Sequence, residues 1–175
     1  MDIVEQLSKE SKSVTTKQQN EIEEIQIQLR QINLIIVGLK DYPGETEVQL
    51  RHSIGHFFKN ALGIDVDIPI DSCYRFGAPI DSNRKIKVKF CTQFNRDLVY
   101  SKRVILNTKK LKIYINEDLP PATQFKMKQL RDEVSKARSL GKQSSLRGRR
   151  LVIDQKLYDL EDGQLIEYKK TQGNY

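Results

Sequence analysis

Arg84-Lys85-Ile86-Lys87-Val88-Lys89-Phe90 is the stretch on which the reading of this chain turns. Apolar residues at 86, 88 and 90 alternate with lysines at 85, 87 and 89. A period of two in Ile, Val and Phe predicts a half-buried strand, one face in a core and the other showing its lysines to water. The charge continues beyond the strand. Residues 84–150 hold 19 Lys+Arg against 5 Asp+Glu, a net of +14, while the whole 175-residue chain is only +7 and the remainder therefore sums to −7. Like charge segregated this strongly repels itself, and it points to a polyanion as partner. The plainer alternative is a lysine-rich surface kept for solubility.

Working outward on the N-terminal side, Asn33-Leu34-Ile35-Ile36-Val37-Gly38-Leu39 is a short apolar run that predicts a buried strand, and Asp41-Tyr42-Pro43-Gly44 is a turn. Over 45–63, Val48, Leu50, Ile54, Phe57, Phe58, Ala61 and Leu62 follow a helical period that Gly63 stops. A second strand is expected over 68–77, then a loop beginning at Ala78-Pro79 and completed by Asp81-Ser82-Asn83. After the basic strand (84–91), Leu98, Val99, Val104 and Ile105 predict a helix over 95–106. Over 110–115, Leu111, Ile113 and Ile115 point one way and Lys110, Lys112 and Tyr114 the other. Strand, helix, strand, strand, helix, strand is an α+β order. It is the ferredoxin-like plan of RNA-recognition domains, here expected over 33–116 with one sheet face free.

Residues 1–32 are polar and lack Pro and Gly. Ile22, Ile25, Leu29 and Ile32 are spaced 3, 4, 3 as in a heptad seam, and the same spacing runs upstream through Val4, Leu7, Ser11, Val14, Gln18 and Glu21 with half its positions polar. A polar helix with one narrow apolar stripe is rarely stable alone. The reading is a coiled coil joining copies of the chain; a helix folded back on its own domain is the alternative. At the other end, Asn116-Glu117-Asp118-Leu119-Pro120-Pro121 breaks the sheet, with Asp118 expected to cap the next helix. That helix is expected over 122–140, its apolar face formed by Phe125, Leu130, Val134 and Ala137, and Gly141 ends it. Leu151-Val152-Ile153 and Lys156-Leu157-Tyr158 predict a hairpin about Asp154-Gln155. The small basic domain thus covers 117–160, and 161–175 is expected to be a polar, mobile tail.

Composition narrows the function classes. Hydrophobic content is 38% with no Trp, so the core is expected to be modest. No apolar run approaches the roughly 18 residues of a membrane span, and no signal-peptide core opens the chain, so a soluble intracellular protein is expected. Cys73 and Cys91 lack metal or redox spacing and read as reduced, buried small residues. His52 and His56 stand at i, i+4, but Ser53-Ile54-Gly55 between them lacks the Glu of a zinc hydrolase helix. With no phosphate-binding glycine loop, nucleophile elbow or acidic triad, the expectation is no catalysis, no metal, no cofactor, no small-molecule substrate and no membrane.

The arrangement resembles a known family. A coiled coil, a recognition-type domain, a Pro-Pro pair, a basic helix and a hairpin form the layout of the RNA-binding protein from the first open reading frame of LINE non-LTR retrotransposons, the transposase-22-like family. The resemblance rests on the 33–39 run, Cys73-Tyr74-Arg75-Phe76-Gly77, Lys87-Val88-Lys89-Phe90, Ile115-Asn116-Glu117-Asp118-Leu119-Pro120-Pro121, Gly141-Lys142 and the 151–158 run, and covers about residues 25–160. A weaker similarity is to the baculovirus few-polyhedra protein. The resemblance implies a non-enzymatic nucleic-acid chaperone that forms homotrimers through Ile22, Ile25, Leu29 and Ile32. It would coat single-stranded RNA, with single-stranded DNA a further ligand, at low sequence specificity. Its place would be cytoplasmic ribonucleoprotein particles, with the nucleus a second compartment. Two departures stand out: the family's arginines after Pro-Pro are replaced by the 122–128 run, which keeps only Lys126 and Lys128, and Gln155 stands where the family often has Gly in the hairpin turn.

Single-stranded nucleic acid is held by a cationic track with aromatic platforms. The track expected here is Arg75, Arg84, Lys85, Lys87, Lys89, Arg103, Lys110, Lys112, Lys126, Lys128, Arg131, Arg138, Lys142, Arg147, Arg149 and Arg150. Tyr114 is a base-stacking platform or a residue packed in its strand, and Tyr74 faces either way. The competing function is a structural coiled-coil adaptor whose basic domain binds an acidic protein or membrane surface.

Overall fold

The computed structural model describes residues 3–161 and 163–168. The chain is α+β, with a long N-terminal helix and two antiparallel sheets. It divides into two compact units, one ending at Asp118 and the other beginning at Leu119.

The first unit runs α1 (Ile3–Arg30), β1 (Asn33–Val37), α2 (Glu47–Leu62), β2 (Ile70–Ile80), β3 (Asn83–Phe90), α3 (Gln93–Lys102), α4 (Val104–Thr108) and β4 (Tyr114–Glu117). Its sheet has the order β2-β3-β1-β4 with every neighbour antiparallel. The alternation in β3 is realised: Ile86, Val88 and Phe90 are fully buried and the intervening lysines are not. They meet Leu34 and Ile36 of β1, Cys73 of β2 and Ile115 of β4 on the sheet face covered by Leu50, Ile54, Phe57, Phe58 and Leu62 of α2 and by Val99 and Leu106. Period-two and period-3.6 patterns in the sequence thus bury one common face. Thr46 and Gln49 close a capping box at the start of α2, and Gly63 ends it in the left-handed conformation.

Four details of this unit differ from the sequence expectation. β2 continues through Ala78-Pro79 to Ile80, because it is an edge strand with an irregular register after Phe76, where a missing N–H is tolerated. The expected single helix over 95–106 breaks at Arg103 into α3 and α4. β4 begins at Tyr114 instead of Lys110, which sits in a turn at φ +52°. Cys91 is exposed, whereas Cys73 is buried as expected and burial raises its thiol pKa.

In α1 the seam residues Ile22, Ile25 and Leu29 are exposed, as are Val4, Leu7 and Val14. Glu23, Ile27 and Arg30, on a different face, are half-buried. The helix therefore does not fold its seam onto its own sheet. Ile32 leaves the seam: the helix ends at Arg30, and the Ile32 carbonyl accepts from the Phe90 N–H at the start of the β1–β3 ladder.

The second unit consists of α5 (Pro121–Ser139), β5 (Ser144–Arg147), β6 (Arg150–Ile153), β7 (Lys156–Glu161) and β8 (Gln164–Glu167), the strands forming a meander in sequence order. Met127, Leu130 and Val134 of α5 pack on Leu151 and Leu160. Pro121 occupies the first helical position. The expected hairpin is present, with Asp154 and Gln155 both at positive φ (+48° and +70°), and it is extended on both sides by β5 and β8. Part of the expected tail, 164–167, is therefore strand; 162 and 169–175 lie outside the described residues. Phe125 is not in the apolar face of α5: it is 64% exposed, and Thr123, Met127, Leu130, Val134 and Ala137 make the buried stripe. Asp118 does not cap α5, whose first turn has no side-chain cap.

Candidate nucleic-acid interface

The outer face of the first sheet is fixed by the inner one. Because Cys73, Ile86, Val88 and Ile115 point to the helices, their neighbours must point away. In register this places Tyr74 beside Lys87, Lys87 beside Ile35, and Ile35 beside Asn116; one step along, Phe76 lies beside Lys85 and Val37 beside Tyr114. Tyr74 and Tyr114 are 51% and 55% exposed. Tyr74 and Phe76 meet edge-on with ring centroids 6.3 Å apart. The outer face therefore carries exposed aromatic side chains on its two outer strands and, between them, the lysines of β3 and the buried Ile35 of β1. Phe76 was not expected; the parity it shares with Tyr74 is the signal for it.

The same parity removes Arg75 from this face. Its side chain is 4% exposed, with Nε 2.6 Å from Glu45 and 3.2 Å from Asp41. Its remaining nitrogens donate to the carbonyls of Leu39, Lys40 and Arg84. Arg75 is a buried tie between β2 and the 39–45 loop, with its donors spent inside the protein, so it is no part of an accessible track. Arg84 is also held there, with Nε donating to Asp41 at 2.7 Å. That hydrogen bond, aided by the backbone N–H of Arg84 and the charge of Arg75, outweighs desolvation and holds the Asp41 carboxyl at about 2, below its ordinary 3.8.

The other sheet cations divide. Lys87 pairs with Asp118 at 3.0 Å and Lys89 with Asp71 at 2.9 Å. Lys85, Lys110 and Lys112 have no carboxylate partner among the described residues. Arg103 stacks on Tyr100 at 3.7 Å and donates to the Tyr100 carbonyl. Arg96, from the wider basic stretch, is buried against Asp97, Glu117 and the Tyr100 ring.

In the second unit the helical period sorts the α5 cations onto two flanks. Lys128, Arg131 and Arg138 share one flank of the buried stripe, and Lys126 lies on the other. Arg138 donates twice to the Ser144 carbonyl, joining the end of α5 to β5. Lys126 pairs with Asp159 at 2.7 Å, and Arg150 approaches the same carboxylate at 3.6 Å while stacking 3.8 Å over Tyr168. Burial pushes the Asp159 pKa up, but the hydrogen bonds from Lys126 and the Leu160 N–H and the two positive charges win, and the net shift is downward. Arg147 and Arg150 are cross-strand neighbours joined by Gly148-Arg149, with Gly148 at φ +61°, so three arginines gather at one hairpin tip. Lys142, Arg147 and Arg149 are exposed.

Among the described residues, no three His, Cys, Asp or Glu side chains gather as a metal site, and no helix is long and apolar enough to cross a membrane. No protein-family model matches the chain, and no curated protein matches it.

Proposed function

We propose that this protein binds single-stranded RNA without catalysis, through a ferredoxin-like, RNA-recognition-type first unit assisted by the basic second unit. We further propose that copies associate through the α1 seam to coat RNA in ribonucleoprotein particles, as the resemblance to LINE retrotransposon RNA-binding proteins implies. The strand order β2-β3-β1-β4 with helices on one face supports the domain reading. The observation that carries the function is the outer sheet face: Tyr74, Phe76 and Tyr114 flanking the lysine strand. Aromatic rings stack on unpaired bases and lysines follow the backbone phosphates, and rings are of no use on a duplex whose bases are already stacked. Lysines with few polar base-readers favour backbone contact and weak sequence preference.

Fluorescence anisotropy with poly-U across a salt series tests this. Tyr114→Ala should weaken binding by about 1–3 kcal/mol at every salt concentration. Lys85→Ala should make the log–log salt slope shallower by about 0.7. Unchanged affinity and slope in both variants would remove the sheet face as the interface, and tighter binding to anionic vesicles than to RNA would favour the adaptor reading.

A further inference from the structure

Lys87 is the central cation of the outer sheet face, between Tyr74 and Ile35, yet its ammonium is not directed to solvent alone. It lies 3.0 Å from the Asp118 carboxylate, and the Lys87 side chain is 23% exposed against 6% for Asp118. Asp118 also accepts from the Asn33 side chain at 2.9 Å and lies 3.6 Å from Arg30 at the end of α1. One carboxylate thus holds a group from α1, one from β1 and one from β3.

We propose that Asp118 is an internal phosphate surrogate: it occupies Lys87 in the free protein, and a backbone phosphate of single-stranded RNA displaces it. This inference rests on the RNA-binding reading above and names a regulatory residue for the same face. Two features of the geometry support it. A carboxylate and a phosphate present the same kind of anionic oxygen to an ammonium, so the exchange replaces one ion pair by another of similar strength. In addition, Asp118 is not stranded when Lys87 leaves, because Arg30 and Asn33 remain as its partners. A buried carboxylate losing its only cation would make the exchange prohibitive; one with a second cation nearby does not. The consequence is that the lysine-rich face is partly self-neutralised until RNA arrives, and that occupation of Lys87 by RNA transfers Asp118 toward Arg30 at the root of α1.

The test uses the full chain and poly-U. Asp118→Asn keeps the shape and an acceptor for Asn33 while removing the competing charge. It should tighten poly-U binding about fivefold, the upper end for a partly exposed ion pair. In a Lys87→Met background the same change should have no effect, since the competition then has no object. A purely structural role for Asp118 would weaken binding in both backgrounds. Should Asp118→Asn fail to fold, the unmodified protein still decides the matter: spectra of 15N-labelled lysine ammonium groups should show the Lys87 signal moving on poly-U addition. A Lys87 signal fixed at saturating poly-U, while Lys85 and the Tyr114 ring respond, overturns this inference and leaves the interface intact. If Lys85, Lys87 and Tyr114 are all silent, the interface reading itself fails and takes the inference with it.

Discussion

Arg75→Met separates two roles that the sequence alone runs together. The guanidinium lies in a nearly closed site, with Glu45 Oε2 at 2.6 Å, Asp41 at 3.2 Å and backbone carbonyls from Leu39, Lys40 and Arg84 around it. Methionine matches much of its length but supplies no donors. What is lost is not the net worth of an ion pair, which for buried pairs is small. The loss comes from leaving Glu45, itself 4% exposed, as an uncompensated buried carboxylate. Breaking such a pair by removing one partner costs about 3–5 kcal/mol. Against a total stability of roughly 5–15 kcal/mol for a domain, that approaches unfolding.

The assay is urea unfolding followed through amide signals of β3, which report on the first unit. With a slope of about 2 kcal/mol/M, the midpoint should fall by about 2 M. Arg75→Met with Glu45→Met should recover most of the loss, because an apolar pair can replace a buried ion pair at little cost. Lys85→Met, on the adjacent strand opposite Phe76, should change stability by no more than about 0.5 kcal/mol. A loss below about 1 kcal/mol for Arg75→Met, or a double variant as unstable as the single one, would refute the argument and return Arg75 to the list of available cations.

Acid stability should report Asp41. Its folded pKa of about 2 lies below the ordinary 3.8, so its contribution is present above pH 4 and is lost as the pH falls through about 2. Arg84→Gln should raise the carboxyl toward 3.8 in a side-chain NMR titration and flatten the stability profile between those limits. Gln155→Gly should gain about 0.5–1 kcal/mol in thermal unfolding, because Gln155 holds φ +70° in a two-residue turn; a lower melting temperature would contradict this. Gly38→Ala should lose at least about 2 kcal/mol, since Gly38 is at φ +97° and its Cβ would fall 2.2 Å from the Lys112 carbonyl oxygen; a near-neutral variant would mean that the backbone at Lys112 gives way at little cost. Ile25→Asp with Leu29→Asp should give a smaller sedimenting species than the native chain, and equal masses would exclude the α1 seam as the association surface.

Local patterns in the sequence carried the local structure. The alternation in β3 and the helical spacing of 45–63 translate directly because each buries one face against the other. Phe125 is misread because a large aromatic draws a helix face toward itself, although it stands on the opposite side from Leu130 and Val134. Arg75 is legible in hindsight: it shares parity with Cys73, so its charge had to be met inside. β5 and β8 are four-residue strands whose short alternation does not stand out from a polar background. Asp118 could not have been assigned from the chain order, since its partners lie 85 residues away at Asn33 and on β3 and α1.

The counted charge and the available charge are different quantities, and the difference bears on how the protein would work. Of the +14 counted over residues 84–150, the chain as a whole keeps a net of +7 as a long-range potential, able to draw a polyanion. Close contact is another matter, because Arg84, Lys87, Lys89, Lys126 and Arg150 each face a carboxylate within the chain. On the proposed reading, each phosphate that takes one of these cations must displace an internal partner, so one chain holds RNA more weakly than its lysine and arginine count suggests. A weak site becomes effective when copies are linked, since the second and third contacts then form at a high local concentration. An exposed apolar seam on α1 is what such linkage needs. Within this scheme, assembly and RNA coating depend on each other: a chain deprived of its seam should keep its sheet face and its salt slope per site, yet lose most of its working affinity.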